Sequence, residues 1–532
     1  MAVRDELLRT GSEGMIWQKY CGFLDLSLPE VMEIQKELLT QQIDQVNESA
    51  LAKRFMPQKP KDVLEFRRSV RLTTFDDYAD ELNKKNEDVL AIKPYCWGHT
   101  SGRGGAFKWI PYTDGAIDML IIYGNAVGIV ACASKKGEIN IRSGLRLLQN
   151  LPPPPYMAGI VNQLFQEVWD ARIIPPTEKY KDADFETKIR AGFEIALSTG
   201  VDLVMSLTSV LVKMGEGFTT SSRQQKLSWH LLHPKVIRRL ISARLQSKRE
   251  GRALLPKDLW PAKGLVCYGT DTSIYRDKLR YYWGLEPTEA YAASEAGIIA
   301  LQAWNKKNMT FTPASCFLEF IPESEWLKSR EDESYQPPTL LLDEVQVGQR
   351  YELVITNFYG MPFLRYRLGD LVRIIALEDE ETGIKLPQMA FESRADDIID
   401  IAGFPRLDEK TMWQVIASTG LEYEDWSARK EYEQSEPVIR LYIELREKTD
   451  EKDLERRAHE ELVRINRDYR DLQNMLGIQP LRVTILPEGT FQRYTEEKQK
   501  AGFDLAHLKP RHTNAPDDVI QDLIRLAETL SI

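Results

Sequence analysis

The stretch between residues 363 and 403 places the strongest constraint on the fold of this chain. Leu371–Ile375 is an apolar run typical of a buried strand, and a second strand-like segment begins at Phe391. The acidic sequence Glu378–Gly383, which ends in glycine, separates the two segments. Apolar runs on either side of such a turn predict a β-hairpin.

Charged residues stand beside both apolar runs. Arg367 and Asp370 precede the first run, and Arg394 and Asp396 precede the apolar residues of the second. Burying an isolated charge is costly, so a charge beside a core needs a partner or a ligand. Asp370 follows Gly369 at the start of a strand, where a carboxylate can accept hydrogen bonds from the hydroxyls of a ribose. The alternative is a surface hairpin whose charges are solvated.

The totals are those of a globular protein with several domains. A length of 532 residues suggests two to four domains. The chain is 43% hydrophobic and 28% charged, which places it among soluble globular proteins. Its net charge of -10 argues against a broad nucleic-acid-binding surface, which would be basic.

The sequence predicts a cytoplasmic location. The N-terminal residues lack the apolar core of a signal peptide. The most apolar span, Ala116–Ala133, is interrupted by polar residues and glycines, so no membrane helix is predicted. None of the five cysteines belongs to a Cys-x-x-Cys pair, which fits a reducing compartment and argues against a disulfide framework or a zinc site.

Hydrophobic periodicity predicts most elements of the first 400 residues. Residues 1 to about 90 have helical spacing, and so does the amphipathic segment Phe185–Gly200. Val127–Ala133 and Gly264–Tyr268 are predicted to be strands. Lys235–Arg249 is predicted to be a basic helix with a solvated charged face, and nucleic-acid binding there is the minor alternative.

The pattern changes after Gly403. Val438–Leu445 and Leu481–Ile485 are predicted to be strands, and Glu451–Gln473 a charged helix between them. Strands around a helix make a small α+β unit. We therefore expect two domains, residues 1–393 and 394–532, joined by a hinge at about residues 394–403.

A glycine-rich loop is the first of three clusters suited to chemistry. Thr100 and Ser101 precede glycines at 102, 104 and 105, and Lys108 follows. Such a loop lets backbone amides approach an anion, hydroxyls add donors, and the lysine supplies charge for a phosphate. No Gly-Lys-Ser or Gly-Lys-Thr ends the loop, so it is not a Walker motif. An ordinary flexible turn fits the same residues equally well.

The second cluster is Tyr291–Gly297, and the third is the hairpin with Asp370 and Arg394. In the second, the hydroxyl of Ser294 stands beside the carboxylate of Glu295, just after an extended segment. This pair can bind a phosphate oxygen and hold Mg²⁺. Ser-Glu is also common at helix starts, where the serine caps and the glutamate favours the dipole.

Taken together, the clusters resemble the adenylate-forming superfamily. Within it, the chain is similar to the auxin-responsive Gretchen Hagen acyl acid amido synthetase family, and it resembles a bacterial-type member of that family. The resemblance spans about residues 95 to 512. The matching motifs are Thr100-Ser-Gly with Lys108-x-x-Pro111-x-Thr113, Tyr291-x-x-Ser-Glu295, Tyr366-Arg-x-Gly-Asp370, Phe391-x-x-Arg394 and Lys509-Pro-Arg511.

The resemblance implies a fold and a reaction. The fold is α/β: a large N-terminal adenylation and acyl-binding domain, with helices packed on β-sheets and a small β-barrel-like part, and a smaller, mobile α+β cap domain. The implied enzyme is a ligase that uses ATP and Mg²⁺. It joins a carboxylic acid to AMP, releasing pyrophosphate, and then transfers the acyl group to an amino acid amine, giving an amide and AMP.

The resemblance also assigns roles to individual residues. Most of the implied contacts are to the nucleotide and its metal, and Lys509 of the cap domain is the implied catalytic residue that reaches the adenylate. The nucleotide contacts are Thr100, Ser101, Gly102 and Lys108 at the phosphates, Ser294 at the α-phosphate, Glu295 at Mg²⁺, Asp370 at the ribose with Arg394 beside it, and Tyr291 against adenine.

Several points stay open. Many members of the family carry hydroxyls where this chain has Arg103-Gly104, so a catalytically silent nucleotide- or acyl-binding protein is an alternative, and an acyl-coenzyme A ligase is another. No motif identifies the acid, whose pocket we expect to be lined from Val201–Val212 and Tyr268–Thr272. The expected partners are a small carboxylic acid and an amino acid, without nucleic acid or membrane, and the chain is expected to be a monomer. His507 and His512 flank Lys509, where they either tune its environment or are simply exposed.

Overall fold

The structure is a computed structural model. It describes residues 6–101, 107–150, 154–180, 185–220, 234–268, 272–332, 334–395, 399–400, 406–433, 436–466, 469–470, 479–500 and 510–530. The chain divides into two compact units between Phe391 and Glu392, and Gly369–Leu371 groups with the second unit. The sequence places this boundary after residue 393.

Helices occur in both units. Two short 3-10 helices, Gly22–Asp25 and Glu87–Val89, accompany the α-helices of the N-terminal region. The α-helices are α1 Glu6–Thr10, α2 Glu13–Cys21, α3 Leu28–Val46, α4 Ala50–Lys53, α5 Val63–Ser69, α6 Asp76–Leu82, α7 Asp114–Cys132, α8 Met157–Trp169, α9 Thr177–Tyr180, α10 Phe185–Thr199, α11 Thr208–Thr220, α12 Pro234–Arg249, α13 Pro256–Leu259, α14 Thr272–Trp283, α15 Glu323–Glu331, α16 Glu409–Ser418, α17 Glu451–Ile465, α18 Thr490–Lys500 and α19 Asp517–Leu530.

The strands are β1 Cys96–Ser101, β2 Phe107–Tyr112, β3 Arg146–Asn150, β4 Arg172–Ile174, β5 Leu203–Leu207, β6 Gly264–Tyr268, β7 Thr288–Ala293, β8 Gly297–Gln302, β9 Met309–Phe311, β10 Cys316–Pro322, β11 Arg350–Asn357, β12 Tyr366–Ala376, β13 Gln388–Arg394, β14 Ile399–Asp400, β15 Arg406–Leu407, β16 Tyr423–Glu433, β17 Glu436–Leu445 and β18 Leu481–Leu486. The predicted hairpin is present as β12 and β13, which are neighbours in one sheet. The predicted strand at Gly264–Tyr268 and the predicted helices near Phe185 and Lys235 are also present.

One large sheet forms the first unit, with the order β10-β11-β12-β13-β9-β8-β7-β6-β5-β3-β4. From β7 through β6, β5, β3 and β4 the strands are parallel. From β7 to β8 the pairing becomes antiparallel. The predicted small β-barrel-like part is not distinguished in the described residues, where the antiparallel strands continue the same sheet. The fold is α/β as predicted, and the change of direction at β7 is where the second motif lies.

Helix α7 corrects one prediction. Val127–Ala133 was predicted to be a strand, but Val127 to Cys132 form the last part of α7. The helix packs against α2, α8 and the sheet, and its second half is buried on nearly every side. A helix that is buried all round has no polar face, so its sequence cannot be told from a buried strand by periodicity. By length and composition α7 is also apolar enough to cross a membrane, but two-thirds of the relevant window is buried inside the protein.

The second unit is the smaller α+β domain. It contains a three-stranded sheet in which β17 pairs antiparallel with β16 and parallel with β18. Strand β16 was missed because its many charged residues conceal the alternation of apolar and polar residues that indicates a strand. Arg429 and Arg440, for example, both bond to Glu431 on the sheet surface. Helix α17 ends at Ile465, eight residues before the predicted end at Gln473, which lies outside the described residues.

Candidate active site

The Ser-Glu motif forms the tight connection between β7 and β8. Its turn, residues 294–296, is closed by the amide of Ala296, which donates to the carbonyl of Ala293 at 3.1 Å. Gly297 then enters β8 with φ of +75°. A Cβ there would lie 2.8 Å from Leu120 Cδ2, so a larger residue would displace the Leu120 side chain and would also be strained by the positive φ. The sequence therefore places Ser294 and Glu295 at the carboxyl end of β7, beside the core helix.

Three side chains from distant parts of the sequence hold this turn. The hydroxyl of Tyr112 donates to the carbonyl of Ser294 at 2.6 Å. The amide of Asn357 donates to the carbonyl of Glu295 at 2.7 Å, and the hydroxyl of Tyr366 donates to Glu295 Oε1 at 3.1 Å. These donors are neutral, so they fix the turn without cancelling the charge of Glu295.

Tyr112 is suited to this role. Its side chain is buried, and burial together with the nearby Glu295 carboxylate raises its pKa well above the usual value. The hydroxyl therefore stays protonated and remains a donor at neutral pH. Sequence reasoning identified Ser294 and Glu295 but missed Tyr112 and Asn357, because no local pattern connects residues so far apart in the chain.

Tyr291 is a buried residue of β7. Its ring stacks on Phe391 of β13, with centroids 5.7 Å apart and planes inclined by 28°. Only 7% of Tyr291 is exposed. The structure therefore gives this ring a partner within the sheet, and its contact with adenine stays a prediction.

The glycine-rich loop connects two paired strands. In the antiparallel ladder of β1 and β2, Thr100 is opposite Lys108 and Ser101 is opposite Phe107. The ammonium group of Lys108 lies 4.8 Å from the centre of the Phe75 ring, and the side chain is half-buried. Gly102 lies outside the described residues, together with Arg103 and Gly104. The phosphate contacts predicted for this loop stay predictions.

Asp370 and Arg394 lie together, as predicted. Arg394 Nε is 3.5 Å from Asp370 Oδ1. Gly369, just before Asp370, has a left-handed backbone with φ of +69°. There is space for a side chain at this position, because the only atom of the described residues within 4.0 Å of an added Cβ is a nitrogen of Arg394. Half of the Arg394 side chain is exposed, and 13% of that of Asp370. The arginine end of the pair therefore reaches solvent, while the carboxylate is mostly covered.

Neighbouring arginines have structural partners. Arg367 Nε donates to Glu352 Oε1 at 2.9 Å, which explains one of the charges beside the hairpin without any ligand. Arg365 Nη2 donates to the fully buried Glu319 at 2.9 Å, and Arg365 Nη1 donates to the carbonyls of Arg67 and Val70. Asp396, the fourth charge of the hairpin, lies outside the described residues, as does Lys509.

Among the described residues, cavities adjoin the parallel half of the sheet and α7 in three places. One lies at the carboxyl ends of β3 and β5 and is partly lined by Val204, Ser206 and Leu211, within the predicted range Val201–Val212. A second lies behind the Ser-Glu turn, against Ala296 and α7, and a third lies between α7 and the N-terminal helices. The second and third share Met119 and Tyr359 in their walls. Residues 269–271 of the predicted range Tyr268–Thr272 are not described.

Models of three domains of one family match the chain in order. The GH3 family N-terminal domain matches residues 22–145, the central domain 309–394 and the C-terminal domain 409–516. Together these matches cover more than half of the chain.

Curated relatives match parts of the chain. An indole-3-acetic acid-amido synthetase, GH3.10 of Arabidopsis thaliana, is 27% identical over 263 residues, which are 45% of this chain and 42% of that protein. A jasmonoyl–L-amino acid synthetase, GH3.5 of Oryza sativa subsp. japonica, is 26% identical over 289 residues, 50% of this chain and 48% of that protein. The chain thus matches about half the length of these relatives.

Solved structures share the fold. AtGH3.15 acyl acid amido synthetase in complex with 2,4-DB superposes with a TM-score of 0.69 at 16% identity, covering 97% of this chain and 96% of that one. A 2-hydroxyisobutyryl-CoA ligase in the postadenylation state superposes with a TM-score of 0.60 at 12% identity, covering 95% and 93%. The architecture predicted for an adenylate-forming enzyme is therefore confirmed.

Proposed function

Because this chain belongs to the GH3 family, we propose that it is an ATP-dependent acyl acid amido synthetase. A carboxylate oxygen of the acid attacks the α-phosphate of ATP, and the bond to pyrophosphate breaks. The amine of an amino acid then attacks the acyl carbon, and AMP leaves as the amide forms. The observation that carries this proposal is the Ser294–Glu295 turn, a hydroxyl and a carboxylate held by neutral donors where the sheet changes from parallel to antiparallel.

The first step brings anions together, so its transition state needs donors and positive charge. The hydroxyl of Ser294 is suited to the α-phosphate because its backbone is fixed by Tyr112. Thr100, Ser101 and the backbone of Gly102 begin a loop whose amides suit the outer phosphates, and Lys108 adds a cation. Backbone amides and hydroxyls fixed in advance stabilise developing charge without reorganising.

Glu295 fits a magnesium ion carried by the nucleotide. Mg²⁺ is commonly bound through one or two carboxylates together with substrate phosphates. Within the described ranges, no group of three or more His, Cys, Asp or Glu side chains is placed to hold a metal. That arrangement suits an ion that arrives with ATP, and Glu295 would hold it. When bound, the ion supplies charge that offsets the phosphates.

The remaining proposed contacts are to the ribose, the adenine and the adenylate. Asp370 accepts from the ribose hydroxyls, with Arg394 beside it, and Tyr291 lies on the adenine side. Lys509 of the C-terminal unit acts at the adenylate. The acid and the amino acid are the small-molecule partners, and we propose a cytoplasmic monomer that binds neither nucleic acid nor membrane.

Two alternatives lead to different measurements. If Arg103-Gly104 removes essential phosphate donors, the chain binds ligands without catalysis. Exchange of labelled pyrophosphate into ATP, across a panel of carboxylic acids, separates these cases. Exchange with any acid supports the enzyme; ATP binding without exchange for the whole panel contradicts it.

The acceptor is tested separately. Amino acids and coenzyme A are offered to the enzyme with the acid that supports exchange, and the product is weighed by mass spectrometry. An amide is expected. A thioester would assign the chain to acyl-coenzyme A ligases instead.

A further inference from the structure

The chain immediately after Lys509 lies along the outer edge of the C-terminal sheet. The amide of Ala428 on β16 donates to the carbonyl of His512 at 2.6 Å, and the amide of Asn514 donates to the carbonyl of Ala428 at 2.8 Å. The hydroxyl of Ser427 donates to the carbonyl of Arg511 at 2.7 Å. Residues 511–514 are therefore bound to β16 by both backbone and side-chain hydrogen bonds.

His512 fastens this segment through its side chain. Its Nδ1 lies 2.6 Å from Glu409 Oε1 of α16, and its Nε2 lies 2.8 Å from Asp425 Oδ1 of β16. The ring stacks on Trp426 at 4.6 Å and meets the edge of Trp413 at 5.0 Å. Only 11% of the side chain is exposed.

This geometry requires a charged imidazole. An ionised carboxylate only accepts hydrogen bonds, so both ring nitrogens must donate, and both carry protons only in the imidazolium form. Burial alone would lower the pKa of His512, but Asp425 and Glu409 raise it to about 9. Burial likewise opposes ionisation of Glu409, yet His512 holds the pKa of that carboxyl below its usual value.

A charged clamp orients the chain more strictly than an apolar contact. Two carboxylates on different elements fix the plane of the ring as well as its position. Replacing such a cluster with apolar residues is often neutral for stability, so stability alone does not require it. The charges of His512, Glu409 and Asp425 matter instead for the direction in which residues 511–514 run.

The clamp holds the described chain that follows Lys509 in the sequence. The carbonyl of Arg511, two residues after Lys509, is held by Ser427, and His512 is held by its two carboxylates. The clamp therefore acts on the chain next to the residue to which the proposed reaction assigns the catalytic role.

We propose that His512 is a positioning residue, which fixes the segment after Lys509 so that the lysine acts on the bound acid and nucleotide. The inference rests on the proposed function. It adds a cluster of the C-terminal unit, Glu409–His512–Asp425, to the groups on which the reaction depends.

The test is a double-mutant cycle on the full chain. H512Q, K509A and the double variant are assayed for adenylate formation with the acid found by pyrophosphate exchange. Misplacement by about 1 Å can cost about 100-fold in rate, so we expect H512Q to lower kcat by about 10- to 100-fold. The KM for ATP should stay within about twofold. In the K509A background, H512Q should have no further effect, because both changes remove the same contribution.

H459Q is the matched control. His459 is a second buried histidine of the same unit, with Nδ1 2.9 Å from the hydroxyl of Tyr469 and its ring against the Tyr469 ring. Its replacement should leave kcat unchanged even if it lowers the melting temperature. E409Q, which keeps the shape of the cluster and removes one charge, serves if H512Q does not fold.

The outcomes separate the two proposals. An H512Q variant with wild-type kcat, or one that lowers the rate equally with and without Lys509, overturns the positioning role while leaving the enzyme assignment intact. A wild-type protein that activates no acid overturns the proposed function and the positioning role with it. Hydrogen exchange at residues 510–514 then shows whether the clamp itself exists: H512Q should accelerate it and H459Q should not.

Discussion

Two arginines from the same stretch of sequence each pair with a carboxylate, and the two pairs differ in how far water reaches them. The Arg365 and Glu319 side chains are 7% and 0% exposed, and the arginine donates to two backbone carbonyls as well. Arg394 is 50% exposed, and it lies 3.5 Å from Asp370. The first pair is enclosed by the protein, whereas the arginine of the second pair is open to solvent.

This difference separates charges that hold the fold from charges available to a ligand. The Ser-Glu turn follows the second pattern, because Tyr112, Asn357 and Tyr366 hold it with neutral groups. The His512 cluster follows the first, because its charges face one another. Substitutions in the two classes should therefore move different observables.

The largest effect is expected for E319A. It leaves Arg365 buried without its carboxylate, and breaking a buried ion pair costs about 3–5 kcal/mol. Chemical unfolding followed by fluorescence should show a loss of this size in the free energy of unfolding. E381A is the control, because Glu381 and Lys307 are 53% and 62% exposed and such pairs contribute about 0–1 kcal/mol. Equal losses of stability in E319A and E381A would show that the buried pair contributes no more to the fold than an exposed one.

E295Q should affect the reaction and spare the fold. If Glu295 holds Mg²⁺ as proposed, its loss removes several kcal/mol of transition-state stabilisation, so pyrophosphate exchange should fall by about 100- to 1,000-fold. The melting temperature should change little, because the neutral donors of the turn remain. E289Q on the same strand is the control, since Glu289 pairs with Arg276 at 2.6 Å. A near-normal exchange rate for E295Q would contradict the metal assignment.

D370A should weaken ATP binding by about tenfold, the equivalent of about 1.4 kcal/mol. Its effect on stability should be below about 1 kcal/mol, as for other partly exposed pairs. Isothermal titration with ATP and a thermal melt measure the two quantities. E380A, at the exposed turn of the same hairpin, should change neither. A D370A variant that melts several degrees lower and binds ATP normally would make this pair structural, like Arg365 and Glu319.

The smallest effect concerns pH. Asp425 and Glu409 raise the pKa of His512 to about 9, so the stabilisation from its charge is complete below the unfolded pKa of about 6.5 and is lost as pH rises through about 9. The wild type should melt a few degrees above H512Q at pH 7, and the gap should shrink at pH 10. Melts of both proteins across this range measure it. A gap that stays constant would mean that the ring is not charged in the folded protein.

Local patterns predicted the parts of the fold that rest on local physics. The hairpin of β12 and β13 followed from two apolar runs and a turn, and α12 from its periodicity. Val127–Ala133 was predicted wrongly because α7 is buried on nearly every side, which removes the amphipathic signal. β16 was missed because its charged residues bond across the sheet surface instead of marking a loop.

The candidate site divides in the same way. Ser294, Glu295, Asp370 and Arg394 belong to motifs that are visible in the sequence, so all four could be predicted as site residues. Tyr112 lies 182 residues before Ser294, whose carbonyl it binds. Asn357 lies 62 residues after Glu295, whose carbonyl it binds. Contacts of this kind arise only when the sheet assembles, so no single-sequence pattern reveals them. His512 could be noted as a neighbour of Lys509, but its partners Glu409 and Asp425 could not.

The segment along β16 has one more consequence, for self-association. An uncovered outer strand presents unpaired amides and carbonyls and invites edge-to-edge pairing with another molecule. Here the chain's own residues 511–514 occupy part of that edge, with Thr513 fully buried against it. The same contacts that hold residues 511–514 thus also shield the sheet from neighbouring molecules, so weakening them would favour aggregation.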